Sequence, residues 1–227
     1  SHAERKRLME LSDATFLCLP DKASIEALEL WKEISSNCPV LIDASSAHRT
    51  LNSWVYGLPE LSETQRYLIS RAQKISVPGC YATGANLLIK PLIKNSIIPK
   101  DYAFIINAVS GYSGGGKKLI NYFESSNHES FFYYGLDLDH KHIKEIKFHN
   151  QLDQTPIFIP SVANFFQGMI VNLPLHGSSL NKDYSIKDIK KIFQEEYKHC
   201  HFVKTEFLSD SFSVNGYYRP DKLINTN

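Results

Sequence analysis

The 227 residues include 25 Lys and Arg against 24 Asp and Glu, which gives a formal net charge of +1. This balance provides no electrostatic reason to expect nucleic acid or an anionic membrane as a partner, although a small anionic substrate remains compatible with it. With 43% hydrophobic and 22% charged residues, the composition is that of a soluble globular protein with one large or two small domains.

The four cysteines are widely separated and form no CxxC pair, so their spacing indicates neither a zinc site nor a dense disulfide framework. We therefore expect a reduced, cytoplasmic protein that binds no metal. The first ten residues, "SHAERKRLME", are charged, and no stretch of the sequence approaches the ~18 uninterrupted apolar residues of a membrane span. Neither a signal peptide nor a transmembrane helix is expected.

The first third of the chain has the pattern of a parallel α/β sheet. "DATFLCLP" is rich in strand formers, and "DKASIEALELWKEI" then places apolar residues at helical spacing. "PVLIDAS" (39–45) predicts a second buried strand, which completes a β-α-β unit with parallel strands. A polar stretch (46–59), a helix from Ser62 to about Gln73 and a short strand "KISV" are expected to follow.

Cys80 stands directly after a Pro-Gly turn in "SVPGCYATG" and before the run "ANLLIKPLI", which is compatible with a helix until Pro91. At a helix N-terminus, unpaired backbone N–H groups and the positive end of the helix dipole favour a nucleophilic thiolate. The alternative is a small buried thiol, because free cysteine is among the most buried residue types.

From "DYAFIINAVSG" onward the strand candidates become longer, as in "TPIFIPSV" and "GMIVNLPL", and helices such as "SIKDIKKIFQEEY" interrupt them. Longer strands with fewer helices predict a mixed or antiparallel sheet in an α+β domain. The change of pattern sets a domain boundary near residues 80 to 100, and we divide the chain at 1–79 and 80–227. The predicted fold class is α/β plus α+β.

Two loops have the composition of ligand-binding segments. "DASSAHRT" (43–50) places hydroxyl residues and Arg49 after the carboxyl end of a strand, where open α/β sheets bind ligands. Arg49 could hold a phosphate or carboxylate bidentately, or could be a solvated surface side chain. "SGYSGGGKK" (110–118) has glycines that let a phosphate or cofactor approach, although ordinary tight loops use them too. It is not a Walker A motif, because Lys118 follows Gly116-Lys117.

In "DHKHIKE", Glu145 stands three residues after His142, so on a helix the carboxylate would lie over the imidazole and could orient it. A histidine–carboxylate pair is a common acid/base arrangement. His140 and His142 could instead ligate a metal or be surface histidines, but HxH without a third ligand is poor support for zinc.

The segments "LIDASSAHRT", "WVYGLPEL", "VPGCYATG", "VSGYSGGGKK" and "YGLDLDHKHIKEI" together resemble N-acetyl-γ-glutamyl-phosphate reductases of the shorter bacterial type, in the aspartate-semialdehyde dehydrogenase-like group. The resemblance covers nearly the whole chain as far as "MIVNLPLH" (169–176). It implies the remainder of a Rossmann-type NADP-binding domain at 1–79. A catalytic and dimerisation domain with a glyceraldehyde-3-phosphate-dehydrogenase-like mixed or antiparallel sheet would follow at 80–227.

The resemblance also implies a role for individual residues. Cys80 matches the acylated nucleophile, and His142 is favoured over His140 as the general acid/base because Glu145 can orient it. The residues implied for the nicotinamide end of NADP are Ser113, Gly114 and Gly115. The residues implied for the substrate cleft are Ser45, Arg49 and His140.

The implied activity is the NADPH-dependent reduction of N-acetyl-L-glutamyl 5-phosphate to N-acetyl-L-glutamate 5-semialdehyde and phosphate, in arginine biosynthesis, by a homo-oligomer. A reductase of aspartyl or carrier-bound aminoadipyl phosphate would keep the same cysteine and histidine. A non-catalytic remnant is a third alternative. Nothing before Asp13 matches the family's strand and glycine-rich turn for the cofactor pyrophosphate, and its Gly- and Ala-rich final segment is missing after Asn227. We therefore expect weak NADPH binding by this chain alone.

Overall fold

The computed structural model describes residues 1–35, 38–206, 213–214 and 217–219. The chain divides into two compact units, Ser1–Gly79 and Cys80–Asn227, which are called the N-terminal unit and the C-terminal unit below. None of the described helices is long and apolar enough to cross a membrane.

The N-terminal unit is a four-stranded parallel sheet with helices. Its strands are β1 (Ala14–Leu17), β2 (Val40–Asp43), β3 (Val55–Tyr56) and β4 (Lys74–Ser76), in the order β1-β2-β4-β3. Its helices are α1 (His2–Glu10), α2 (Asp21–Lys32) and α3 (Gln65–Arg71), with a 3₁₀ turn at Pro59–Leu61. The predicted β-α-β unit is confirmed as β1-α2-β2 with parallel strands.

Two details of the N-terminal unit differ from the sequence prediction. The polar stretch (46–59), in which no strand was predicted, contains the short strand β3, which pairs with β4 through two residues. The predicted helix from Ser62 is the shorter α3, because Ser62 adopts an extended conformation (φ −161°, ψ 165°) that separates the 3₁₀ turn from α3. The core of this unit is built from apolar side chains of β1, β2, α2 and the segment before β3, including Leu17, Leu28, Leu41 and Trp54.

The C-terminal unit is a mixed sheet covered by helices. Its helices are α4 (Cys80–Lys94), α5 (Gly116–Phe123), α6 (Lys141–Asn150) and α7 (Ile186–Tyr197). Its strands are β5 (Ile105–Gly111), β6 (Phe131–Tyr133), β7 (Ile157–Ala163) and β8 (Met169–Asn172), with a two-residue ladder of β9 (Ser213–Val214) and β10 (Tyr217–Tyr218). Short 3₁₀ turns lie at Tyr112–Gly115 and Gly177–Ser179. The order is β6-β7-β5-β8, with β5 and β7 parallel and the outer strands antiparallel, which confirms the predicted mixed sheet.

Successive side chains of β5 and β7 point to opposite sides of the mixed sheet, and they show one face covered by helices and one open face. Ile106 and Phe158 are fully buried on the covered face, in one core with side chains of α4 and α6. The burial of each such side chain contributes about 1.5–3 kcal/mol to the free energy of unfolding. The opposite surface is called the open sheet face, and its exposed apolar residues are Ile105, Phe131, Tyr133 and Ile157.

Helix α4 continues through Pro91 to Lys94 instead of ending at the proline. Proline lacks the N–H that would donate to the carbonyl four residues earlier, which is that of Leu87. The hydroxyl of Tyr197 on α7 donates to the Leu87 oxygen at 2.7 Å and so replaces the missing bond. A contact from a residue 110 positions away therefore lets the helix pass its proline.

Candidate active site

Cys80 is the first residue of α4, and it is exposed. The sequence prediction of a cysteine at a helix start is thus confirmed, and the alternative of a buried thiol is wrong. A helix start presents backbone N–H groups and the positive end of the helix dipole, so a thiolate is stabilised there. Exposure in addition leaves the sulfur accessible to a substrate.

His140 caps α6 through its ring. Its Nδ1 accepts a hydrogen bond from the backbone N–H of His142 at 3.2 Å, so Nδ1 must be unprotonated. Burial lowers the pKa of His140, the neighbouring charge of Lys141 lowers it further, and Asp137 opposes them. The neutral ring that the cap requires is therefore favoured at neutral pH.

His142 and Glu145 lie one turn apart on α6, as the spacing predicts. Nε2 of His142 is 4.0 Å from Oε2 of Glu145, and both side chains are buried. This distance is longer than a direct hydrogen bond. The carboxyl group of Glu145 is nevertheless placed on the side of the ring that carries Nε2, where it can orient the imidazole.

The starts of α4 and α6 lie together in the C-terminal unit. The ring of Tyr81, which follows Cys80, packs edge-on against His142 with ring centroids 5.9 Å apart. Further along both helices, the Asn150 amide donates to Oδ1 of Asn86 at 2.6 Å. The helices thus run in the same direction, and the arrangement of Cys80, His142 and Glu145 at their starts is called the helix-start site.

The glycine-rich loop forms the 3₁₀ turn after β5. The N–H of Ser113 donates to the Phe166 carbonyl at 2.9 Å, so this N–H is used within the fold. A Cβ on Gly115 would collide with Leu119, so close packing accounts for glycine at this position. A Cβ on Gly114 would meet only Oγ of Ser110, at 3.6 Å, so the backbone there is open to a ligand. Of the three residues predicted to contact the cofactor, Gly114 has the most open surroundings.

In the N-terminal unit, Asp43 at the end of β2 is fully buried and accepts three hydrogen bonds. The donors are the Ser45 N–H at 2.9 Å, the Ser45 hydroxyl at 2.6 Å and Nδ1 of His48 at 2.6 Å. Burial by itself raises the pKa of Asp43, but the bonds from Ser45 and His48 outweigh it and hold the pKa below its usual value. Asp43 is therefore a carboxylate at neutral pH.

Arg49 follows His48 in the same loop and is 8% exposed, so the alternative of a solvated surface arginine is wrong. Its Nη2 donates to the Ala44 carbonyl at 3.0 Å. His48 stacks on Trp54, with ring centroids 4.2 Å apart and planes 12° from parallel. Asp43, Ser45, His48 and Arg49 are called the β2 cluster below.

Sequence reasoning found Ser45 and Arg49 but assigned no role to Asp43 or His48. The signal was present, because an aspartate at a strand end with a serine two residues later forms a local turn through its own side chain. Tyr81 and Tyr134 were also missed, since nothing in sequence spacing distinguishes a site tyrosine from a core tyrosine. Among the described residues, no group of three or more His, Cys, Asp or Glu could hold a metal ion.

Comparison with known proteins agrees with this geometry. The family described as "Semialdehyde dehydrogenase, dimerisation domain" matches residues 80–216. An aspartate semialdehyde dehydrogenase from Francisella tularensis has a TM-score of 0.58 at 13% identity, over 84% of this chain and 65% of that one. Aspartate semialdehyde dehydrogenase II from Vibrio cholerae has a TM-score of 0.54 at 14% identity, over 79% of this chain and 59% of that one. The matching family places the chain in the class of semialdehyde dehydrogenases.

Curated relatives identify the family to which the chain belongs within this class. The N-acetyl-gamma-glutamyl-phosphate reductase of Brucella ovis is 42% identical over 212 residues, which cover 91% of this chain and 68% of the relative. That of Brucella suis (strain ATCC 23445) is 44% identical over the same shares. The chain belongs to the N-acetyl-gamma-glutamyl-phosphate reductase family. It spans about two thirds of these relatives and less than two thirds of the two solved structures.

Proposed function

We propose that this chain reduces N-acetyl-L-glutamyl 5-phosphate to N-acetyl-L-glutamate 5-semialdehyde and phosphate, with NADPH, in arginine biosynthesis. The observation that carries the proposal is the helix-start site, in a chain 42% identical to reductases of that name. An exposed cysteine at a helix start and a buried histidine–carboxylate pair on the adjacent helix start are the groups that acyl transfer and proton transfer require.

Cys80 is the nucleophile in the first half of the reaction. Its thiolate attacks the acyl carbon, the C–O bond to phosphate breaks, and a thioester to Cys80 remains. Backbone N–H groups at the start of α4 stabilise the oxyanion that develops during this step. When bound, NADPH supplies the hydride that reduces the thioester carbon.

His142 is the acid and base of the second half. Its imidazolium protonates the oxygen of the thiohemiacetal as reduction proceeds, and Glu145 holds the ring in position. In the reverse direction the neutral ring takes the proton back. When the aldehyde leaves, the neutral His142 ring takes the proton back from the thiohemiacetal hydroxyl, the C=O bond forms, the C–S bond breaks, and its electron pair returns to Cys80 as thiolate. Both Cys80 and His142 are thereby regenerated.

Other residues of the chain hold the reactants. Gly114 lets the cofactor approach the backbone closely, while Ser113 offers its hydroxyl and Gly115 shapes the turn. We assign an anion-binding role to Arg49, with Ser45 shaping its loop, and a supporting role beside the substrate to His140. The reaction takes place in the cytoplasm, where reducing conditions keep the Cys80 thiol free of disulfides.

The experiment is a substrate panel on the purified chain, with NADPH oxidation followed by absorbance. N-acetylglutamyl phosphate should be turned over faster than aspartyl phosphate or carrier-bound aminoadipyl phosphate, and Cys80→Ser should turn over none of them. A preference for either competing acyl phosphate would assign the alternative substrate. Absence of turnover with all three, even when the family's pyrophosphate-binding segment is supplied, would identify a non-catalytic remnant.

We further propose that two copies of the chain associate through the open sheet face. The matching family is described as a dimerisation domain, and this face exposes an apolar patch that a second copy would cover. Ile157 lies opposite Ile105 in the register of β5 and β7, at the start of both strands. Ile157→Asp should therefore shift the mass measured by light scattering from dimer to monomer, whereas Ile186→Asp on α7, also exposed, should not.

A further inference from the structure

Two buried asparagines, called the asparagine pair below, join α4 to α6. Asn86 of α4 and Asn150 of α6 are 0% and 1% exposed, and the Asn150 amide donates to Oδ1 of Asn86 at 2.6 Å. The same amide nitrogen donates to the Ile146 carbonyl at 2.9 Å, within α6. Because both partners of this nitrogen are acceptors, the orientation of the Asn150 side chain is determined. A direct hydrogen bond thus connects the two helices in the core.

The buried contact between α4 and α6 is otherwise built from apolar side chains, some of them small. The core contains, from these two helices, Ala82, Ala85, Ile89, Ile143 and Ile146. Apolar contacts are non-directional, so they hold two helices together but tolerate a displacement along the helix axes. A hydrogen bond does not tolerate it, because it weakens steeply as its geometry changes. The asparagine pair therefore supplies directionality to this contact.

The asparagine pair is better suited to geometry than to stability. In the part of the chain that the structure describes, no group donates to Oδ1 of Asn150, although this atom is buried. A buried acceptor without a donor is destabilising, and replacing both partners of a buried polar pair by apolar side chains is often neutral or stabilising. The best-attested role of a buried Asn between packed helices is to fix their register.

The register of α4 against α6 determines how the two helix starts face each other. Asn86 is six residues after Cys80, roughly 9 Å along α4. Asn150 is eight residues after His142, roughly 12 Å along α6. A displacement of one helix along the other therefore reaches the helix-start site. There the rings of Tyr81 and His142 are in edge-on contact, with centroids 5.9 Å apart, so their distance reports the register.

We propose that the asparagine pair fixes the register of α4 against α6 and thereby positions Cys80 relative to His142, an inference that rests on the function proposed for these two side chains. Both asparagines are positioning residues, which act through the helices and do not touch the reacting atoms. Their effect on the rate comes from geometry alone, because misplacement by about 1 Å can cost about 10²-fold.

The first measurement is the nuclear Overhauser effect between the ring protons of Tyr81 and His142, which needs neither substrate nor cofactor. The variant is Asn86→Ala/Asn150→Leu, called the double apolar variant, which replaces the pair while nearly conserving its volume. The effect should weaken about threefold, because it falls with the sixth power of the distance and a displacement of about 1 Å is expected. An effect equal to that of the parent chain overturns the inference.

Asn95→Ala is the matched control. The Asn95 amide donates to the Pro91 carbonyl at 2.8 Å, a bond at the end of α4 that does not involve α6. Its loss should leave the Overhauser effect between the two rings at the parental intensity. Equal weakening in Asn95→Ala and in the double apolar variant overturns the inference, because any lost hydrogen bond of α4 would then have the same effect.

Urea unfolding separates register from stability. Asn150→Ala removes the donor to the buried Oδ1 of Asn86 and should lower the urea midpoint. The double apolar variant should recover most of this loss, because it buries neither polar side chain, while its Overhauser effect stays weak. A double apolar variant that does not fold would make the pair a stability element and overturn the inference.

Steady-state kinetics provide the last readout. The double apolar variant should lower kcat about tenfold with KM within about twofold, because positioning acts on the chemical step more than on binding. Cys80 alkylation should keep its parental rate, since the start of α4 itself is unchanged. A kcat equal to that of Asn95→Ala overturns the inference. If the parent chain shows no turnover, the proposed function fails, and the Overhauser effect still decides the role of the asparagine pair.

Discussion

The β2 cluster and the helix-start site are both polar groups at the ends of regular elements, but they use their hydrogen-bonding capacity differently. Asp43 accepts three short bonds within the fold, and His48 is enclosed between that carboxylate and an aromatic ring. Cys80 is exposed, and His142 lies 4.0 Å from its carboxylate partner. A cluster whose hydrogen-bonding groups are all used within the fold is suited to stabilising the conformation of a loop. An exposed nucleophile beside an acid/base pair is suited to catalysis.

The largest expected effect concerns the identity of the nucleophile. Cys80 should be alkylated at neutral pH much faster than Cys18 and Cys38, because these two are exposed as well but do not begin a helix. Mass mapping after brief iodoacetamide treatment gives the three rates in one sample. Preferential labelling of Cys18 or Cys38 would contradict the assignment of the nucleophile.

The next effect separates the histidine from the cysteine. His142→Asn should lower kcat about 10²- to 10⁴-fold, the usual loss when a general acid is removed. Cys80 alkylation should stay within a few-fold of normal, because the helix start supplies the thiolate stabilisation. His140→Asn should lower kcat less, since asparagine is a good helix cap. A larger loss in His140→Asn than in His142→Asn would reverse the choice between the two.

Asp43→Asn tests whether the β2 cluster stabilises the conformation of its loop. The asparagine side chain cannot accept from both Ser45 and His48 as a carboxylate does, so the free energy of unfolding should fall by about 2–3 kcal/mol. Asp21→Asn is the matched control, since Asp21 accepts similar bonds from Ser46 at an exposed site. It should cost less than about 1 kcal/mol. Urea unfolding of the two variants gives both values, and equal losses would refute the contrast.

The lowered pKa of Asp43 also determines in which direction the free energy of unfolding changes with pH. Its contribution to stability is fully present above the pKa of an unfolded aspartate, about 3.9, and is lost as pH falls through the lower pKa of the folded state. The parent chain should therefore lose stability below about pH 4 more steeply than Asp43→Asn. Parallel slopes in urea unfolding between pH 5 and pH 2.5 would contradict this expectation.

A smaller effect is expected at the proline of α4. Tyr197→Phe removes the donor to the Leu87 carbonyl and should cost about 1 kcal/mol. In the Pro91→Ala background the cost should be smaller, because the new N–H at position 91 can donate to the same oxygen. A double-mutant cycle in urea measures this coupling. A cycle with no coupling would mean that the Tyr197 hydroxyl does not substitute for the missing N–H.

The smallest effect is the titration of the His140 cap. Because the pKa of His140 is lowered on folding, its contribution is complete above the unfolded value of about 6.5 and declines as pH falls through the folded pKa. Unfolding between pH 7.5 and pH 5 should therefore show a modest loss of stability in the parent chain. The loss should be absent in His140→Asn, whose cap does not titrate. The same loss in His140→Asn would place the titration elsewhere.

Short-range features of the chain were predictable from sequence. Patterns among neighbouring residues predicted three of them: the β1-α2-β2 unit, the helix start at Cys80, and the placement of His142 and Glu145 one helical turn apart. The seven-residue strands β5 and β7 were also predictable, because each contains a long run of apolar residues. Such elements are determined by periodicity and turn chemistry.

Features that depend on distant partners were not predictable. Helix α4 continues through Pro91, and the Tyr197 hydroxyl satisfies the Leu87 carbonyl there; this contact with a distant residue is not visible in the local sequence. The burial of Arg49 likewise depends on packing that its local sequence does not show. The roles of the candidate site residues stay predictions until the variants above are measured.

The bond from Tyr197 to Leu87 bears on the order of events during synthesis. The ribosome makes α4 110 residues before Tyr197, an interval of roughly 5–20 s at about 5–20 residues per second. During that interval the Leu87 carbonyl has only water as a partner, so the second half of α4 is the less stable half of a nascent helix. The second half of α4 therefore gains the hydrogen-bond partner of its Leu87 carbonyl only when α7 docks against it.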